Sequence, residues 1–395
     1  MQQRTKVILK TKKADAVARF HPWVFSGAIK KIEGVVNNGD VVDVYSNKLK
    51  YLATGHYQDG SIAVRLFSWE SIEPGRQYWK EKVQKAWQFR KSLFPDPSVT
   101  NSYRLVFAEG DGMPGLIIDV YDDTAVMQTQ SVGMHQLKPL ITELLQEITG
   151  DRFRAVYDKS SETMHRMSNE PSENGFLLGD ESQSIITENG CRFNVDVVQG
   201  QKTGFFLDQR DNRKLLGDYA NDKNVLNMYA YTGGFSVFAL NGGASHVDSV
   251  DSSAKAMELT VQNIQLNKLP EDRHKTITSD ALDYLKKMEN NKYDIIVLDP
   301  PAFAKSRSSR HNAVQGYKRI NAMAMDKIKK GGLLFTFSCS MVIDRKLFHD
   351  TITAAAIQTQ REVSVLHHLS QPADHPMSIF HPEGAYLKGL VLRVD

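Results

Sequence analysis

The run Tyr293-Asp294-Ile295-Ile296-Val297-Leu298 breaks off at Asp299-Pro300-Pro301-Ala302-Phe303, and that junction constrains the fold more than any other stretch. A short apolar run ending so abruptly reads as a strand buried on both faces, as in a parallel sheet. Two prolines fix φ and supply no backbone N–H, so the strand stops there. Asp299 and Phe303 are expected to project from the carboxyl edge of the sheet, where open α/β folds take their ligands. A carboxylate and carbonyls beside an aromatic face suit a flat heterocycle bearing an amino group. The plainer alternative is a strand end with a solvated aspartate.

The surrounding chain favours the first reading. From Cys191 onward strand and helix alternate, which predicts a doubly wound sheet. Strands are expected at 225–229, 246–250, 275–278, 293–298 and 333–337, with the clearest helices at 235–241 and 254–266. Two more strands, near 362–369 and 386–394, flank a loop containing Pro372, Pro376 and Pro382, so five parallel strands close with a terminal hairpin into a seven-stranded sheet.

The 395 residues before and through this region leave room for two or three domains. Residues 1 to about 70 read as a small β domain, with a hairpin expected across Val35 to Tyr45 and strands at 51–56 and 61–67. There Lys10, Lys12, Lys13 and Arg19 neighbour Phe20, His21, Trp23 and Phe25. Basic groups beside aromatics suit a nucleic-acid strand, through phosphate contacts and base stacking; the alternative is an apolar plug for a small barrel. A basic amphipathic helix over 76–94, stopped by Pro95-Asp96-Pro97, is the expected linker to a central α+β segment that lacks the residue set of a catalytic centre. The domain boundaries are therefore 1–72, 73–190 and 191–395.

A net charge of +3 does not by itself announce nucleic-acid binding, so any such surface must be local. Two cysteines, a start without the apolar core of a signal peptide and no membrane-spanning apolar run point to a cytoplasmic protein with neither disulfide framework nor membrane partner. Cys and His spacings match no zinc site, and no metal is expected. A homodimer is left open.

The first strand of the sheet runs into Asn227-Met228-Tyr229-Ala230-Tyr231-Thr232-Gly233-Gly234-Phe235. Two glycines at a strand-to-helix turn let the backbone approach a ligand. The stretch is neither Gly-x-Gly-x-x-Gly nor a P-loop, which favours a ligand without phosphates. Asp251, followed by Ser252, ends the second strand, where a carboxylate can accept both hydroxyls of a ribose. Asp280, followed by Ala281, ends the third, within reach of an adenine amino group. Each feature alone reads as packing or helix capping. In sequence they describe an adenosine without phosphates next to a flat substrate, and so S-adenosylmethionine and a base.

The fifth strand ends Phe337-Ser338-Cys339-Ser340, which puts Cys339 at the same sheet edge as Asp299. Carbon 5 of a pyrimidine is a poor nucleophile. Addition of a thiolate to carbon 6 makes it enamine-like and able to accept a methyl group. Cys339 is the candidate nucleophile and Asp299 the candidate partner of the cytosine amino group and ring nitrogen; the alternative for Cys339 is a small core residue. Cys191 reads as structural. The basic, serine-rich stretch Lys305-Ser306-Arg307-Ser308-Ser309-Arg310 follows directly, where a polyanion would cross the site, and with Pro300, Pro301 and Phe303 it forms the expected RNA-binding set there.

With these residues laid out, the chain resembles the RlmI-type large-subunit ribosomal RNA cytosine-C5 methyltransferases over essentially its whole length. The resemblance is carried by the segment from Gly200 to Arg210, with Phe205 and Gln209 inside it, by Asp299 to Phe303, Gly331 to Ser340, Ala373 to Pro376 and Pro382 to Gly389. It implies a Rossmann-like class I methyltransferase domain with a seven-stranded sheet, preceded by a small PUA-like β-barrel and a central α+β domain. It implies that Cys339 is the nucleophile, that S-adenosylmethionine is the cofactor, with Phe205 and Gln209 added to its binding residues, and that large-subunit ribosomal RNA or its precursor particle is the partner. It also favours the RNA reading of Lys12, Lys13, Arg19, His21 and Trp23. Many RNA cytosine-C5 methyltransferases carry a second cysteine beside the Asp-Pro motif, whereas Ala302 and Phe303 stand here. Two rival readings remain: methylation of a guanine or exocyclic nitrogen gripped by Asp299-Pro300-Pro301, and a non-catalytic RNA-binding assembly factor.

Overall fold

The computed structural model describes residues 4–165, 167, 172–181, 183–304 and 306–395, with residue 307 described by its backbone alone. The chain divides into two units: residues 1–186, 195–207 and 373–384 form the first, and residues 187–194, 208–372 and 385–395 the second. No helix among the described residues is long and apolar enough to cross a membrane.

The first unit contains two sheets. Six strands line up in the order Trp23–Phe25, Ile62–Ser68, Tyr51–Tyr57, Val41–Tyr45, Lys6–Leu9, Ile29–Glu33. They close around Val7, Leu9, Val24, Val42, Val44, Val64 and Leu66. The hairpin expected across Val35 to Tyr45 does not form. Val41–Tyr45 pairs in parallel with Lys6–Leu9, which pairs antiparallel with Ile29–Glu33 on its other side. The buried strand Lys6–Leu9 thus lies between Ile29–Glu33 and Val41–Tyr45, and Val35, 88% exposed, sits in the connection.

The second sheet of this unit orders Gly175–Leu178, Ala155–Asp158, Thr124–Thr129, Leu116–Tyr121 and Ser102–Phe107. Helix Arg76–Leu93, expected as a linker, is instead part of its core. Trp79, Val83, Ala86 and Arg90 recur at helical spacing and are all buried, the apolar three packing with Leu105, Ile118 and Leu144. The buried Arg90 guanidinium is neutralised by both carboxylate oxygens of Asp111, at 2.6 and 2.8 Å.

In the second unit seven strands form one sheet: β1 (Asn224–Met228), β2 (His246–Asp251), β3 (His274–Thr278), β4 (Ile295–Leu298), β5 (Gly332–Ser338), β6 (Val363–Ser370) and β7 (Lys388–Val394). Their spatial order is β3-β2-β1-β4-β5-β7-β6. The first five run parallel, and β7 inserts antiparallel between β5 and β6. Helices α1 (Arg210–Tyr219), α2 (Gly234–Asn241), α3 (Ala254–Leu266), α4 (Ala281–Lys287), α5 (Arg310–Lys327) and α6 (Arg345–Thr359) connect or flank the strands. Every residue of β4 is buried, as a central parallel strand requires. Strand order reverses between β1 and β4, and a crevice opens beyond the carboxyl ends of strands at such a switch point. The turn after β1 and the Asp-Pro-Pro segment after β4 both lie there.

Candidate active site

The turn after β1 is held in an unusual backbone conformation. Tyr229 (φ 59), Tyr231 (φ 48) and Gly233 (φ 77) all lie in the left-handed region, which side-chain-bearing residues rarely adopt. Conformations of that kind persist only where neighbours enforce them. Here Tyr231 N donates to Asp251 Oδ2 at 3.0 Å, Thr260 Oγ1 to the Tyr231 carbonyl at 3.0 Å and Asn263 Nδ2 to the Thr232 carbonyl at 2.9 Å. Asp251 is also fixed by Ser253 N at 3.0 Å on its other oxygen, and each oxygen keeps a further lone pair for a ligand hydroxyl. Asn227, at the end of β1, donates to Ser236 Oγ at 2.8 Å, while its buried Oδ1 has no hydrogen-bond partner among the described residues.

A Cβ placed on Gly233 would stand 2.4 Å from Thr260 Cγ2. Gly233→Ala is therefore expected to combine that overlap with left-handed strain, costing about 2–4 kcal/mol, and to lower the denaturant midpoint of the second unit. An unchanged midpoint would show that the turn relaxes at no cost.

The remaining expected cofactor residues fall as follows. Gly234 and Phe235 open α2, the Phe235 ring lying 5.7 Å from that of Phe337. Ser252 is exposed after β2. Asp280 caps α4 by accepting from Asp283 N at 3.1 Å, with Ala281 as the first helical residue. Phe205 is buried in the first unit. Gln209 is turned toward the other carboxylate: its Nε2 donates to Asp299 Oδ2 at 3.0 Å, while Asn212 Nδ2 fixes its Oε1 at 2.6 Å.

Asp299 and Cys339 come from adjacent strands, β4 and β5, at the same carboxyl edge. The loops behind them are joined, because Ser340 Oγ donates to the Ala304 carbonyl at 2.8 Å. Burial, and then the negative charge of Asp208, push the Asp299 carboxyl up to about 7. Asp208 itself accepts from the Tyr386 hydroxyl at 2.7 Å. A carboxyl so poised carries its proton at neutral pH in a large fraction of molecules and can both donate and accept toward an amidine-like base edge. Cys339 is partly buried and, like Cys191, is not in a disulfide.

Around this pair, Pro300 is buried and Pro301 exposed. Phe303 does not project freely: its ring packs on buried Tyr317 of α5, centroids 4.6 Å apart. Arg310 lines a cavity of about 400 Å³ with Met341, Val342 and Asp344, directly after Ser340. Lys305 lies outside the described residues, as does the side chain of Arg307.

In the first unit, Lys12, Lys13 and Arg19 are exposed together with the rings of Phe20 and Phe25. Trp23 is not a free stacking platform. Its Nε1 donates to Glu109 Oε1 at 2.8 Å and its ring packs on His381 at 4.3 Å. His21 is half-buried, with Nε2 3.4 Å from Glu383 Oε1, and His21, His381 and Glu383 bring their ligand atoms within 4.8 Å of one another. Sequence spacing could not have disclosed that cluster, since its members lie some 360 positions apart.

A family model described as S-adenosylmethionine-dependent methyltransferase matches residues 126–393, and one described as PUA-like domain matches residues 7–69. This chain belongs to the S-adenosylmethionine-dependent methyltransferase family. Among curated relatives, the ribosomal RNA large subunit methyltransferase I of Aliivibrio fischeri is 37% identical over 385 residues, 96% of each chain. That of Pseudoalteromonas atlantica is 38% identical over 397 residues, 99% of each chain. The methyltransferase thus belongs to the family of these enzymes over its full length. Its fold is shared with a Streptococcus mutans protein assigned as a SAM-dependent methyltransferase, at a TM-score of 0.85 and 24% identity, covering 98% of this chain and 100% of that one. S-adenosylmethionine is the cofactor of this methyltransferase. The left-handed turn, the Asp251 carboxylate and the unpartnered Asn227 oxygen are a donor and acceptor set that fits an adenosine.

Proposed function

We propose that this methyltransferase methylates carbon 5 of a cytosine in large-subunit ribosomal RNA, in the cytoplasm, through a covalent adduct at Cys339. The observation that carries the reading is that Cys339 and Asp299 follow adjacent parallel strands, β5 and β4, at one sheet edge; the upward push of burial on the Asp299 carboxyl supports it. The substrate class is taken from the full-length relatives, which are large-subunit ribosomal RNA methyltransferases.

The Cys339 thiolate adds to carbon 6, forming an S–C bond, while Asp299 gives its proton to ring nitrogen 3 and accepts from the exocyclic amino group. The electron pair released from the ring double bond makes carbon 5 nucleophilic. When bound, S-adenosylmethionine supplies an electrophilic methyl group. The proton on nitrogen 3 then returns to Asp299, a water molecule acting as base takes the carbon 5 proton as the ring double bond re-forms, and the Cys339 thiolate departs. Gln209 keeps the Asp299 oxygen oriented, Asp251 takes the ribose hydroxyls, and Tyr229, Tyr231, Thr232, Gly233, Gly234 and Asp280 complete the cofactor set. The base must leave its stack to reach such a crevice.

Residues 1–72 serve as the RNA-binding domain, 73–190 as the central domain and 191–395 as the catalytic domain in this reading. Replacing Lys12, Lys13 and Arg19 together by alanine is expected to weaken RNA binding about tenfold or more near physiological salt. It should flatten the slope of log affinity against log salt by about 2 and leave cofactor affinity unchanged. An unaltered slope would remove this face from the interface. The function itself is tested by mass mapping of methylated nucleotides in ribosomal RNA from cells with and without the protein. One 5-methylcytosine should disappear from the large-subunit RNA, and an unchanged map would refute the assignment.

A further inference from the structure

Lys388, on β7, is only 3% exposed. Its Nζ donates to the carbonyls of Ser340 at 2.6 Å and Tyr386 at 2.8 Å. The antiparallel register sets Lys388 opposite Ser338, so the ammonium reaches past Cys339 to the carbonyl of the next residue. Among the described residues it makes no ion pair with a carboxylate, and both its acceptors are neutral. A buried ammonium with only neutral partners is costly and gains most from an anion placed next to it.

We propose that the anion is the Cys339 thiolate, and that Lys388 is a positioning residue which keeps this nucleophile ionised near neutral pH. The inference rests on the reading of Cys339 as nucleophile. The thiol gives its proton to solvent, and the sulfur remains beside Nζ, where the cation favours the charged form. Burial lowers the Lys388 ammonium to about 8, and the negative charge of Cys339 acts in the opposite direction. Lys388 therefore still carries its charge at pH 7. Asp344 and Arg345, of opposite sign at the start of α6, also face Lys388, and Tyr317 of α5 faces Cys339. The first two act on Lys388 in opposing directions and leave Cys339 as its main counter-charge.

The test follows iodoacetamide alkylation of the Cys339 peptide in the folded full chain, by mass spectrometry, as a function of pH. Lys388→Gln keeps an N–H donor for the carbonyls but removes the charge, and Lys388→Arg keeps the charge. The Gln variant should shift the midpoint of the alkylation profile up by about one pH unit or more, cutting the rate at pH 7 about tenfold, while the Arg variant stays near the parent. Coincident profiles for parent and Gln variant overturn the proposal. If the Gln variant does not fold, Cys339→Ser carries the reciprocal measurement. The titration midpoint of Lys388, followed by NMR of 13C-labelled lysine, should fall when the thiolate is absent, and an unmoved midpoint overturns the proposal. Alkylation does not depend on methyl transfer. A methyltransferase that stays active as Cys339→Ala would therefore sink the nucleophile reading while leaving the ion pair measurable in its own right.

Discussion

Cys339→Ala is expected to remove 5-methylcytosine formation altogether, lowering the single-turnover rate by at least about a thousandfold. Carbon 5 has no nucleophilic character until something adds to carbon 6, and no other thiol of this chain serves. Cys191, the second cysteine, is 2% exposed, and burial pushes its thiol up to about 11. Cofactor affinity should be unchanged, because the adenosine turn after β1 belongs to other strands. The measurement is single-turnover methyl transfer to ribosomal RNA, with cofactor binding followed by calorimetry. Full activity in the variant would instead favour transfer to a guanine or exocyclic nitrogen, with Asp299-Pro300-Pro301 gripping the base and Cys339 a bystander.

Asp299→Asn is expected to cost activity and add stability. Asparagine still accepts from Gln209 Nε2 but has no proton to give to the ring nitrogen, so the rate should fall by about 10²–10⁴-fold. The parent should show a related pH profile: the competent, protonated Asp299 predominates below about 7 and is lost as pH rises through that value. The sign for stability follows from the same shift. The folded carboxyl titrates at about 7 and the unfolded one near 4. Below about pH 4 both states hold the proton and burial carries no electrostatic penalty. Between about 4 and 7 the unfolded chain releases its proton first, and above 7 the penalty is complete, on the order of a few kcal/mol. Asparagine escapes it. The variant should come close to the parent in urea at pH 3.5 and unfold at distinctly higher urea at pH 8. Equal midpoints at both values would mean that the crevice solvates Asp299 well.

The catalytic sheet was the most legible part of the chain because each of its signals is local. Buried parallel strands read as continuous apolar runs, and β1 through β5 fell within a residue or two of their expected bounds. The terminal antiparallel pair, β6 and β7, also fell within two residues of its expected bounds, although β6 is largely exposed. Long-range pairing was not. Nothing in Val35 to Tyr45 reveals that Val41–Tyr45 will pair in parallel with Lys6–Leu9, since hydrogen bonds between strands leave no trace in either strand's composition. Helix Arg76–Leu93 announced its amphipathicity but not its partner, and its buried stripe of Trp79, Val83, Ala86 and Arg90 belongs to a core rather than a connection.

The site divided along the same line. Asp299, Cys339 and the glycine turn announce themselves by residue type at strand ends. Gln209 was expected at the cofactor and is found on Asp299, and Lys388 carried no signal, because its role comes from the register of an antiparallel strand. Asp280 is bound up with capping α4, as strand-end aspartates usually are, and Trp23 is committed to Glu109 and His381.

The central claim, that one thiol and one carboxyl act together on a cytosine, is tested most directly by trapping the adduct. RNA substrate carrying 5-fluorocytidine cannot lose its substituent from carbon 5 after methyl transfer, so the S–C bond cannot be released. Incubated with S-adenosylmethionine, the methyltransferase should form a denaturation-stable protein–RNA species whose cross-linked peptide, by mass spectrometry, contains Cys339. Methylated product without any such species, or a cross-link at another residue, would contradict the account.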